Sequence, residues 1–171
     1  MKVAGTPYRT IWLADDNWSV EIIDQTKLPH EFVTVRLETA EEAAVAIKDM
    51  WVRGAPLIGA TAAYGMALAM HNNPSNRNLA QAYNQLIKTR PTAVNLRWAL
   101  ENMRNTLSTL KPEEREGTAY HRASEICDQD VEICSAIGEH GLEIIKETWN
   151  NKGRSGKVNI LTHCNAGWLA T

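Results

Sequence analysis

No stretch of this chain approaches 18 uninterrupted apolar residues, so no membrane-spanning helix is expected. No long basic run occurs and the formal net charge is -2, which argues against nucleic acid as the main partner. Residues 1–10 contain no apolar core of the kind a secretory leader carries. Cysteine is scarce: the three are Cys127, Cys134 and Cys164. Their spacing fits no zinc pattern, and the histidines are scattered. An odd cysteine count without a leader fits reduced thiols and a cytoplasmic location.

What is present suits a folded domain. Apolar residues make up 44 % and charged residues 22 % of 171, enough for one domain with a core, or one domain and the start of another. Residues 8–37 alternate as short strands: Ile11-Trp12-Leu13, then Val20 and Ile22, then Val33, Val35 and Leu37. Thr39 and Glu42 match a capping box, which predicts a helix running to about Trp51 with Ala44, Ile47 and Trp51 on one face. Arg53-Gly54-Ala55-Pro56 interrupts it. The helix that follows is rich in small residues, and Gly59 and Gly65 in its interior signal close approach of another backbone or a ligand.

Further helices are expected over 78–88 and, with Thr92 as N-cap, along the stripe Leu96, Leu100, Met103, Leu107 and Leu110. A last helix, about 113–148, carries Cys127, Val131, Cys134, Gly141 and Ile145 on one side. Cys127 and Cys134, seven apart, read as core packing. The six tryptophans read mostly as core or contact residues, and Trp168 as a pocket wall or a helix support. Residues 150–156 form a polar, glycine-bearing linker, so the domains divide as 1–150 and 157–171. After the linker, 157–162 reads as a buried strand whose sheet is absent from these residues, and the chain as part of something longer.

Three features can carry chemistry. Cys164 follows that strand in His163-Cys164-Asn165-Ala166-Gly167, where helix-end amides can lower a thiol pKa. It is either a reacting thiol or a small space-filling residue. Arg53-Gly54-Ala55 is either an anion site at a helix start or a simple turn. Arg90, also before a proline and a helix, is either a second phosphate partner or a solvated arginine.

Four motifs occur in order: Asp24-Gln25-Thr26-Lys27-Leu28-Pro29, Val52-Arg53-Gly54-Ala55-Pro56-Leu57-Ile58-Gly59, Arg90-Pro91-Thr92-Ala93-Val94-Asn95-Leu96 and Thr162-His163-Cys164-Asn165-Ala166-Gly167. Together they resemble the methylthioribose-1-phosphate isomerases of methionine salvage, relatives of the regulatory subunits of initiation factor 2B. The resemblance implies an α+β N-terminal domain of small antiparallel strands and a helical bundle. It also implies the first strand of a truncated Rossmann-like α/β domain. It implies an aldose–ketose isomerase in which Arg53, Gly54 and Ala55 contact the sugar, Arg90 pairs its phosphate and Cys164 is the catalytic thiol. It implies no metal or organic cofactor, and a homodimer that engages neither nucleic acid nor membrane. The second catalytic group, an aspartate, lies in the family's C-terminal domain, so 171 residues alone are expected to be inactive. Two alternatives stand beside it: a non-catalytic interaction protein like the initiation factor 2B subunits, and a sister isomerase for ribose 1,5-bisphosphate or 5-deoxyribose 1-phosphate.

Overall fold

Alternating Val20, Ile22 and Leu37 against polar neighbours builds a three-stranded antiparallel sheet. In the computed structural model, which describes residues 2–163 together with Gly167 and Leu169, it comprises β3 (Ile11–Leu13), β4 (Val20–Ile23) and β5 (Thr34–Leu37), with β4 central. Val20 pairs Leu37 and Ile22 pairs Val35, so one face is apolar. A small hairpin, β1 (Lys2–Val3) with β2 (Thr6–Pro7), precedes it and was not expected, because two-residue strands leave no alternation to read.

Five helices follow. α1 (Ala40–Lys48) begins at the expected capping box: Thr39 accepts from the Glu42 N–H at 3.1 Å, and the Glu42 carboxylate accepts from the Thr39 N–H at 3.1 Å. It ends three residues before Trp51, which instead packs partly buried against the core. α2 (Ala55–Asn72) is buried at every position from Leu57 to Met70. A helix apolar all round must be surrounded, and α2 packs against α1, α3 (Asn76–Leu86), α4 (Val94–Ser108) and α5 (Pro112–Asn151). Its two interior glycines admit neighbouring chain rather than ligand. A Cβ on Gly59 would lie 3.0 Å from the Asn95 carbonyl oxygen of α4, and one on Gly65 3.0 Å from the Ala43 Cβ of α1.

The α4 stripe is realised: Leu96, Leu100, Met103 and Leu107 are fully buried. Each burial is worth about 1.5–3 kcal/mol. Its cap differs from expectation. Ala93, not Thr92, occupies the N-cap and makes no side-chain cap bond. Arg115 of α5 is the buried cation of the bundle. Its Nε donates to the Leu107 and Leu110 carbonyls at 2.9 and 3.2 Å, and its Nη1 to Pro74 O at 2.8 Å. It thereby closes the C-terminal end of α4, where the helix dipole favours positive charge.

Among the described residues, α5 buries side chains only in its first half, at Arg115, Ala119, Ala123 and Ile126. All residues of 131–140 are exposed. Cys127 packs against the core as expected, but Cys134, one turn into the projecting half, is exposed. The strand expected over 157–162 does not form: these residues make no ladder, and Ile160 and Leu161 are 70 % and 97 % exposed. A strand needs a neighbour for its N–H and C=O groups, and no described segment offers one. Among the described residues no helix is long and apolar enough to cross a membrane.

Candidate functional site

α1 and α3 satisfy amides at their N-termini with side chains, Thr39 and Ser75. α2 and α4 do not. Neither has a side-chain cap bond or an acidic residue in its first turn. Their first-turn N–H groups, with the positive dipole ends, are left for something else.

These two N-termini lie side by side. Gly59, in the second turn of α2, meets the Asn95 carbonyl in the first turn of α4. Pro56 and Val94, one at the start of each helix, line the same open cavity of about 390 Å3, which Trp98, Ile126 and Ile133 help to wall. Arg53 and Arg90 stand just before these helices, so the fold places both loop-to-helix arginines at one end of the α2–α4 pair.

Local sequence explains the α2 turn. Val52 is buried and its N–H donates to Ala46 O at 3.2 Å, fixing the chain as it leaves α1. Gly54 then takes φ +103°, a conformation that disfavours any side chain. Pro56 tolerates the first helical turn because it has no N–H to satisfy. The half-buried Arg53 donates from Nη2 to Gln25 O at 3.3 Å, while its Nε is buried with no hydrogen-bond partner among the described residues. Arg90 is also half-buried. Its carbonyl accepts from the Ala93 N–H at 2.9 Å, and its side chain makes no hydrogen bond or ion pair among the described residues. Ala55, the first residue of α2, is exposed beside the turn.

Cys164 and Trp168 lie outside the described residues. Leu169 is within them, and its carbonyl accepts from Gln25 Nε2 at 2.8 Å. Gln25 lies in the first of the four sequence motifs, where nothing local assigns it a task. A polar residue at a strand end carries no local sign that it will be 3 % exposed and bonded to a segment 144 positions away.

Next to the cavity walled by Trp98, and sharing Pro56 with it, Tyr8, Ile11, Leu57, Cys127 and Val131 help to line a second one of about 240 Å3. Burial pushes the Cys127 thiol up to about 12, so it stays protonated and behaves as a small apolar residue. Among the described residues no group of three His, Cys, Asp or Glu could hold a metal ion.

The model of the Initiation factor 2 subunit family matches residues 51–171, well over half of the chain. The chain belongs to the Initiation factor 2 subunit family. The chain is similar to the methylthioribose-1-phosphate isomerase of Paramagnetospirillum magneticum, 61 % identical over all of this chain and 47 % of that protein's length. The chain thus spans about half the length of the curated relatives it matches. Solved structures that share the fold include the following two. The 5-methylthioribose 1-phosphate isomerase of Pyrococcus horikoshii superposes with a TM-score of 0.79 at 38 % identity, over 95 % of this chain and 45 % of that one. The delta subunit of translation initiation factor eIF-2B from A. fulgidus gives 0.67 at 37 % identity, over 74 % and 38 %. The α+β architecture read from the sequence is therefore that of a known family's N-terminal portion.

Proposed function

We propose that this chain supplies the phosphate-binding half of an isomerase that converts 5-methylthioribose 1-phosphate to 5-methylthioribulose 1-phosphate. The observation that carries the reading is the identity of 61 % across the whole chain with a relative of that name. The paired, uncapped N-termini of α2 and α4 support it, because two cationic side chains and free amides there suit a phosphate.

The roles follow from the chemistry. A phosphate on the anomeric carbon blocks spontaneous ring opening, so the protein must assist opening and move hydrogen from C2 to C1. In this reading Arg53 and Arg90 pair the phosphate, and the backbone at Gly54 and Ala55 contacts the sugar phosphate. An oxygen of that phosphate would give the orphaned Arg53 Nε an acceptor, recovering a desolvation cost of about 1–3 kcal/mol. Cys164 is the thiol that relays a proton or stabilises developing charge. The reading extends to a division of the chain at 1–150 and 157–171, and α5 ends at Asn151. It also extends to a cytoplasmic homodimer, for which exposed Ile133, Ile137 and Ile144 on α5 offer apolar surface.

The test is titration of the protein with 5-methylthioribose 1-phosphate. Binding is expected, weakened about tenfold or more by Arg53→Ala, since a charge-assisted pair is worth about 1.5–3 kcal/mol. In a full-length form Cys164→Ser is expected to remove nearly all ketose formation. Near-normal turnover of that variant refutes the role of Cys164. Comparing the 5-methylthio, 5-deoxy and 5-phospho sugars fixes the substituent. A second reading, a non-catalytic subunit of initiation-factor type, is favoured by the likeness to the eIF-2B delta subunit. It gains if no sugar phosphate binds.

A further inference from the structure

We infer that Gln25 is a positioning residue that fastens the Arg53 turn and the segment beyond Cys164 to one loop. The inference rests on the isomerase reading for its meaning, and on hydrogen bonds for its geometry. Gln25 is 3 % exposed and reaches three partners. Its backbone N–H donates to Trp51 O at 2.9 Å, two residues before Arg53. Its carbonyl accepts from Arg53 Nη2 at 3.3 Å. Its side-chain Nε2 donates to Leu169 O at 2.8 Å.

The loop that carries Gln25 is itself held. The Asp24 carboxylate accepts from the Thr26 N–H and hydroxyl at 2.9 and 2.6 Å, and the Asp24 N–H donates to Val33 O at 2.9 Å. Gln25 is therefore a fixed point, not a side chain that follows its partners. The turn proposed to hold phosphate and the segment five residues past the proposed thiol are both referenced to it. Functional groups must keep their spacing within about 0.5 Å to be productive, and Gln25 bonds both the Arg53 side chain and the Leu169 carbonyl directly.

The division of labour within the residue makes the test sharp. Gln25→Met keeps length and bulk and leaves the backbone bonds to Trp51 and Arg53 in place. It removes only the donor to Leu169. The test measures the labelling rate of Cys164 by a neutral disulfide reagent in a Cys134→Ser background, with the labelled thiol identified by mass. Gln25→Met is expected to speed labelling of Cys164 at least about threefold, the equivalent of losing most of one neutral hydrogen bond, with unchanged helical circular dichroism. An unchanged rate overturns the inference. Gln25→Glu sets an acceptor against the Leu169 carbonyl and is expected to give the same acceleration, which guards against a folding defect in the first variant. Labelling does not depend on turnover, so the tether can fail while the isomerase reading stands, and the reverse. In a full-length form that turns over, Gln25→Met is expected to lower kcat about tenfold with KM held within about threefold. A merely structural role would lower the melting temperature and leave kcat alone.

Discussion

Arg53 is committed on one side and open on the other: Nη2 rests on the Gln25 carbonyl while Nε is buried without an acceptor among the described residues. Arg115, by contrast, is fully buried with its donors on carbonyls and on the Asn76 side chain, and its task is structural. The same contrast separates the thiols. Cys127 is pushed up to about 12 by burial, whereas Cys134 is exposed. A folded pKa above the unfolded value near 9 means that the neutral thiol contributes its stability below pH 9 and loses it as pH rises toward 12. The stability margin of the protein over Cys127→Ala, measured by chemical denaturation, should therefore shrink between pH 9 and 12. A constant margin would show that Cys127 is not desolvated. At this scale the sequence was legible where neighbours in sequence set the geometry, as in the turn at Gly54 that leads through Pro56 into α2. It was silent on Gln25, whose partners are distant in sequence, and misleading on Cys134, because seven-residue spacing shows a shared face but not that anything covers it.

Helix ends and helix contacts explain the next level. Thr39 and Glu42 could be read directly because a capping box is a three-residue spacing. Thr92 could not, since the turn from Arg90 to Ala93 places Ala93 at the cap. The glycines divide by what surrounds them. At Gly59 a methyl would press on the Asn95 backbone oxygen at 3.0 Å, and backbone yields poorly. At Gly138, within exposed α5, nothing lies within 4 Å. Gly59→Ala is expected to destabilise by about 1–3 kcal/mol, as overpacking does. Gly138→Ala is expected to stabilise by about 0.5–1 kcal/mol through helix propensity. Thermal denaturation of the two variants checks the signs, and a stabilised Gly59→Ala would mean that α2 and α4 can separate without cost. The sequence showed two costly glycines in α2. Only the packing showed that a helix backbone and a small side chain, rather than a ligand, use the space.

For the whole molecule, the centre was legible and the periphery was not. A helix as uniformly apolar as α2 has to be enclosed, and the amphipathic stripe of α4 supplies one wall. The 157–162 segment has strand-like composition and no strand, because pairing is a property of two segments and composition of one. α5 joins both regimes in one continuous helix. Its first turns are clamped by Arg115, Ala119, Ala123 and Ile126, and 131–140 touch solvent on every face. An isolated helix of that length is marginal in water, so the free energy of opening should fall along the helix axis. Amide hydrogen exchange read along α5 should show protection near Ala119 that is lost only with global unfolding, and exchange by local fraying beyond Val131. Uniform protection to Asn151 would contradict this. One unbroken helix would then report both the stability of the core and the presence of anything that comes to lie on its far end, with the boundary between slow and fast amides moving outward as that surface is covered.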